Sequence, residues 1–342
     1  MGRMTIPMTV HPWRTARSAR FRNLFRLERR KLERVQNLRS RTIAARPGPE
    51  LVSQTAPQKR PDLSSGWLAM WHLLSLDAPT VAAVWTVFIA HSVGLTLPWE
   101  SPVAMFVAVW MLYAADRLLD AWPLAEDSKP AELEARHRFH HKHRKGFLCG
   151  IVTAALALAV LLPRMDVAAL HLYCLLSALL AAWLLLIHLL PARGADAHRL
   201  PKELAVGMCF PAAVFIPTVS RTTLPVHTLL RSAIFLGMVC TLNCLVIYAW
   251  EHPDLRRSSW STRWAAQRLR TLTAAVTAAA IVAAWLGHGA LRPIAAACAL
   301  SAALIGILNL QRAKMNPVNL RAAADLSLLT PVLIYLFMKF VR

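Results

Sequence analysis

The stretch VAALHLYCLLSALLAAWLLLIHLL, residues 167–190, decides the fold class. Its 24 residues include no Asp, Glu, Lys or Arg, and coiled as a helix it is long enough to cross the roughly 30 Å hydrocarbon core of a bilayer. Comparable apolar runs lie on either side of it. Together they occupy about 79–97, 102–119, 147–163, 167–190, 204–220, 229–249, 271–287, 293–309 and 323–341. The expected fold class is therefore all-α, a polytopic membrane bundle of about nine transmembrane helices within residues 67–342. The run at 204–220, LAVGMCFPAAVFIPTVS, carries Pro211 and Pro217, so a kink is expected there. A kink is tolerated in a membrane where neighbouring helices satisfy the freed carbonyls.

Composition resolves around this pattern. The 342-residue chain has 39 Lys+Arg against 18 Asp+Glu, a formal net charge of +21 and a pI near 11.0, yet 56% of its residues are hydrophobic and its mean hydropathy is +0.42. A strongly basic soluble protein does not usually carry that much apolar sequence, so charge and apolar surface must be separated along the chain. Residues 1–60 hold 15 of the basic residues and only three acids, Glu28, Glu33 and Glu50. A nucleic-acid-binding protein and a soluble enzyme are both excluded as leading readings, and no nucleic-acid partner is expected.

Residues 1–66 form a separate basic cytoplasmic arm in this reading. Within it, Phe21, Leu24, Phe25, Leu32, Val35 and Leu38 recur at roughly helical spacing among arginines. That pattern fits either a basic amphipathic helix lying on anionic lipid headgroups or a disordered basic arm. The following RPGPELVSQTAPQKRPDLSSG, with four prolines, reads as a linker. No apolar core of a secretory signal follows the basic part. Six cysteines all fall in apolar stretches without a C-x-x-C pair, which favours packing over disulfide or metal use.

Basic residues also orient the chain. With the N-terminus in the cytoplasm, the loops 120–146, 191–203, 250–270 and 310–322 hold 17 Lys+Arg, against six in the opposite loops and adjoining helix ends. The positive-inside rule then places a multi-pass protein in the cell (inner) membrane with a cytoplasmic N-terminus and an outside C-terminus.

Acids are scarce, which sharpens the meaning of their positions. The second span ends MLYAADRLLDAW, placing Asp116 and Asp120 at i and i+4 on one helix face. Paired carboxylates repel unless a cation neutralises them, and such hard oxygen ligands suit Mg²⁺ shared with substrate phosphates. A solvated helix end with Arg117 as partner is the plainer alternative. The sixth span ends NCLVIYAWEHPDL, with Glu251 and Asp254 three apart and Asn243 near the same face if the helix continues past Pro253. Both pairs face the cytoplasmic side, so two divalent-cation sites there could grip a diphosphate between them.

The loop RHRFHHKHRK, residues 136–145, offers Arg138 and its neighbours either as phosphate ligands or as a topogenic basic loop. Its His137-x-x-His140-His141 matches one box of the membrane di-iron oxygenases, but no second box exists to complete a ligand set. Lys202, beside Glu203 before the fifth span, is a candidate phosphate contact or a membrane-surface anchor. Asp325 is placed to pair with Arg321 at i and i+4, a structural role.

YAADRLLDAW (113–122) and NCLVIYAWEHPD (243–254), supported by LPKELAVGMCF (200–210) between them, resemble the motifs of the UbiA-type intramembrane prenyltransferase superfamily. The resemblance covers about residues 67–342. It implies a UbiA-like bundle around a cavity open to lipid, and Mg²⁺-dependent transfer of a prenyl group from a prenyl diphosphate to a lipophilic, aromatic or quinone-type acceptor. On it, Asp116, Asp120, Glu251 and Asp254 are the catalytic metal ligands, and Arg117, Arg138, Lys202 and Asn243 contact the substrate. Leu112 and Tyr113 stand where the family's first motif has Asn and its first acid. With the motifs thinned in this way, a second reading stays open: a non-catalytic UbiA-like scaffold, or a lipid-binding or transport protein.

Overall fold

In the computed structural model the described residues are 66–127, 139–140, 142–189, 202–251, 260–315 and 317–341. The basic arm, Arg138 and Asp254 lie outside them, and the side chains of Asp120 and Lys202 are likewise not described. Among the described residues there is no strand, and twelve α-helices follow one another. They are α1 (Trp67–Leu73), α2 (Asp77–Ser92), α3 (Glu100–Asp127), α4 (Arg144–Leu161), α5 (Val167–Leu189) and α6 (Lys202–Val219). After these come α7 (Val226–Glu251), α8 (Trp260–Gln267), α9 (Leu269–Leu286), α10 (Leu291–Gln311), α11 (Pro317–Leu326) and α12 (Thr330–Val341).

The chain is all-α, and five described stretches are long and apolar enough to cross a membrane: Arg144–Arg164, Val226–Glu251, Leu269–Leu286, Leu291–Lys314 and Asn319–Phe340. This is the pattern of a multi-pass membrane protein. Large apolar side chains such as Leu156 on α4, Leu179 on α5 and Trp285 on α9 are exposed, as expected of faces turned to lipid rather than water.

Element boundaries follow from local chemistry. Asp77 opens α2 with its carboxylate accepting from the Ala78 amide at 3.0 Å, a favourable charge at a helix N-terminus. Pro79 sits in the first turn, where no intrahelical donor is missed. The helix stops at Ser92, short of the expected 97, because Gly94 takes a φ of 75° and Leu95 N–H closes back on Ala90 O at 2.9 Å. That is a Schellman ending on the residue type best able to adopt it. Helix α3, by contrast, continues to Asp127, well past 119. The last expected span is interrupted: a 3₁₀ turn at Ser327–Leu329 separates α11 from α12.

Helix α2 is central and packs against α3, α6, α11 and α12. It buries residues around most of its circumference, Val81, Ala82, Trp85, Phe88 and Ile89 among them. Trp85 donates its indole N–H to Leu328 O at 2.8 Å, which satisfies both a buried donor and a carbonyl in the 3₁₀ turn. Helices α6 and α7 approach closely at Gly207, where an added Cβ would lie 1.8 Å from Thr241 Oγ1. Helix α10 packs on α7, α9 and α12 through small buried residues, Ala295, Ala297, Ala299, Ser301 and Ala302. Small residues let membrane helices come into close contact. The bundle thereby brings α1, the start of α2, the middle of α3, the end of α7 and α11 to one polar cluster.

Candidate functional site

The cluster starts at the break between α1 and α2. Ser75 lies at φ 60°, in the position after the C-cap of α1, with Leu76 N–H bonded to Trp71 O at 3.1 Å and Ser75 N–H to His72 O at 3.0 Å. A glycine usually fills this place; here a serine does, and its hydroxyl is used. Arg117, buried on α3, donates Nη1 to Ser75 Oγ at 3.0 Å and to His72 O at 2.8 Å. Its guanidinium thus caps α1 as a cation at a helix C-terminus. Because Ser75 Oγ accepts from Arg117, its own proton is free to serve the 3.2 Å contact with His140 Nε2. His140, from the basic loop, is fully buried and stacks on Phe147.

Beyond Arg117 lie two acids from distant parts of the chain. His72 Nδ1 donates to Asp77 Oδ2 at 2.5 Å and stands 4.0 Å from Asp325 Oδ2. Arg117 Nη2 is 3.6 Å from Asp77 Oδ2. Burial pushes the His72 imidazole below its ordinary value, with the carboxylate of Asp77 beside it acting the other way. Asn243 on α7 donates Nδ2 to Asp325 Oδ1 at 3.1 Å, and Arg321 on α11 is ion-paired with Glu251 at the end of α7.

These groups border a cavity of about 220 Å³. Its polar wall includes Tyr113, Arg117, Asn243, Glu251, Arg321 and Asp325, and its apolar wall Val81, Phe210, Ile247 and Leu328. Two side-chain atoms at this cavity are buried without a hydrogen-bond partner among the described residues: the acceptor Asn243 Oδ1 and the donor Arg321 Nε. Orphaned buried polar atoms are uncommon enough to mark a place where something else binds. A ligand polar at one end and apolar at the other matches such walls.

Of the residues singled out from sequence, Arg117, Asn243 and Glu251 meet at this cavity. Asp116 does not line it; its side chain is exposed, about 100° around α3 from Arg117. Position 120 falls back on the Tyr113–Arg117 stripe by helical spacing. Leu112 is exposed, whereas Tyr113, standing where the resembling motif has its first acid, lines the cavity. Arg321 reaches across to Glu251 rather than serving only as the i, i+4 partner of Asp325.

His72, Ser75 and Asp77 form no motif in the sequence, and Asp325 reads there as the structural partner of Arg321. A signal existed for the acids. Asp77 directly precedes an apolar run and Asp325 lies inside another, and ionisable groups at such places cost enough to demand a use. No sequence signal joins them, since they are brought together only by α11 packing on α1 and α2. No family model matches the chain, and no curated protein or solved structure is detectably similar to it.

Proposed function

We propose that this is a nine-span UbiA-like protein of the cell (inner) membrane, with its N-terminus in the cytoplasm and its C-terminus outside. In this reading it transfers a prenyl group from a prenyl diphosphate to a lipophilic acceptor. The observation that carries the reading is convergence: Arg117 from the first motif helix, and Asn243 and Glu251 from the second, border one cavity with a polar wall and an apolar wall.

The chain's own groups suit the ionisation of an allylic diphosphate. Arg117, Arg321 and the Tyr113 hydroxyl offer donors to the leaving oxygens, where charge grows as the allylic C–O bond breaks and its electron pair departs with the diphosphate. The apolar wall keeps water from the allylic cation until the acceptor carbon bonds to it and loses a proton. A cavity of about 220 Å³ holds a polar head rather than a whole polyisoprenoid, whose tail belongs in lipid.

The Mg²⁺ implied by the resemblance would sharpen the leaving group, but the described motif acids do not form a cradle for it. Asp116 is exposed and Glu251 is taken by Arg321. No step is therefore assigned to a metal at those acids. The same two facts favour the second reading, a non-catalytic scaffold or lipid-binding protein.

Incubating the purified protein with labelled prenyl diphosphates of several lengths, divalent cation and a membrane lipid extract separates the two. Transfer predicts a prenylated lipid, with its rate reduced about 100-fold or more in Arg321→Gln. Absence of both product and diphosphate release under every condition leaves the scaffold.

A further inference from the structure

His72, Asp77 and Asp325 carry a constellation that the transfer reading does not use. Their ligating atoms, His72 Nδ1 and one carboxylate oxygen from each aspartate, all lie within 4.8 Å of one another. Ligands held about 2.1 Å from an octahedral cation lie about 3 Å apart when adjacent and about 4 Å apart when opposite. Small side-chain rotations therefore bring these three atoms onto one ion. His72 and Asp77 are buried, at 2% and 1% exposure, and Asp325 borders the cavity. Two protein oxygens and an imidazole nitrogen would thus be fixed from behind, with a face left open toward the cavity.

A separate observation points the same way. Asn243 is only 4% exposed, its Nδ2 is bonded to Asp325, and its Oδ1 has no partner among the described residues. An amide oxygen buried beside a carboxylate without a donor is a hard ligand waiting for a cation. Asp77, Asp325 and Glu251 bring three carboxyl groups to the same cluster as the guanidiniums of Arg117 and Arg321.

We propose that His72, Asp77 and Asp325, together with the Asn243 amide oxygen, bind a divalent transition-metal cation that accepts both carboxylate and imidazole ligands, such as Mn²⁺, at the polar wall of the cavity. The mixed nitrogen and oxygen set favours such an ion over Mg²⁺ or Ca²⁺, which take oxygen alone. On binding, the proton on His72 Nδ1 leaves its hydrogen bond with Asp77 and is replaced by one on Nε2, so the ring stays neutral and the freed Nδ1 lone pair ligates the ion. Arg117, 3.6 Å from Asp77 Oδ2, stays as an outer partner of that carboxylate. The ion then adds positive charge to a wall that already holds Arg117 and Arg321. The inference goes beyond the transfer reading and does not depend on it.

Mn²⁺ is the probe of choice because the thiols of Cys240 and Cys244 at the same cavity would compete for Zn²⁺. Titration of the full chain in nanodiscs, followed by electron paramagnetic resonance, is expected to show one tight Mn²⁺ with nitrogen coupling from an imidazole. His72→Gln should remove the nitrogen signal, and the isosteric Asp325→Asn should weaken binding by more than about 100-fold. Both variants are to be compared at matched monodisperse elution, and Asp116→Asn is expected to bind as the parent does. Absence of a stoichiometric Mn²⁺ overturns the proposal. So does binding that survives Asp325→Asn but fails in Asp116→Asn, which would put the ion at the first motif. Prenyl transfer without Mn²⁺ binding rejects this site and leaves the transfer reading intact; Mn²⁺ binding without transfer rejects only the latter.

Discussion

Ser75 shows how one residue's conformation and its hydrogen bonds are weighed against each other. A non-glycine residue at φ 60° carries a penalty of roughly 1 kcal/mol, and the hydroxyl offsets it by joining Arg117 to His140. Ser75→Ala keeps the strain and loses both bonds, so thermal unfolding in detergent should show it destabilised by about 1–2 kcal/mol. Ser75→Gly loses the same bonds but relieves the backbone, and should fall between parent and alanine variant. A glycine variant less stable than the alanine one would mean that the positive φ is not the source of the cost. The single-residue view also explains how far the site could be read in advance. Arg117 and Asn243 stood out as polar residues at motif positions. Asp116 stood out equally, but adjacent residues on a helix point about 100° apart, and only packing decides which of them faces inward.

At the scale of elements, hydrophobic runs located most of the helices, because apolar length is a property of local sequence. Breaks were harder to see. The stop at Ser92 depends on Gly94, a residue the apolar run passes over, and the 3₁₀ turn between α11 and α12 is fixed by tertiary partners such as Trp85, more than 240 residues away in sequence. Pro211 and Pro217 lie inside α6 without ending it, as expected where neighbours satisfy the freed carbonyls. The pair α6–α7 depends on contact across Gly207. Gly207→Ala places a methyl against the Thr241 side chain and should destabilise by about 1–3 kcal/mol. Combining it with Thr241→Ser or Thr241→Ala should recover part of that loss, measured by the same unfolding assay. No recovery would show that the strain falls elsewhere.

For the whole molecule, the balance of basic residues between loops makes the strongest statement. Fusing alkaline phosphatase to the C-terminus should give an active reporter, and fusing it within the loop 191–203 an inactive one, as a cytoplasmic N-terminus and an odd number of spans require. Activity at both points would remove the nine-span reading. What no single segment could reveal is how the ends of α7 and α11 and the start of α2 share one space. That arrangement depends on contacts between residues hundreds of positions apart, and it is where the candidate site lies.

Arg117 holds two posts at once, fastening the last turn of α1 and forming part of the cavity wall. A guest that draws the guanidinium toward itself must loosen its grip on the His72 carbonyl. Occupancy inside the bundle is thereby coupled to the short helix that precedes the first long one, and a purely internal event acquires a handle on the element next to the basic arm in sequence.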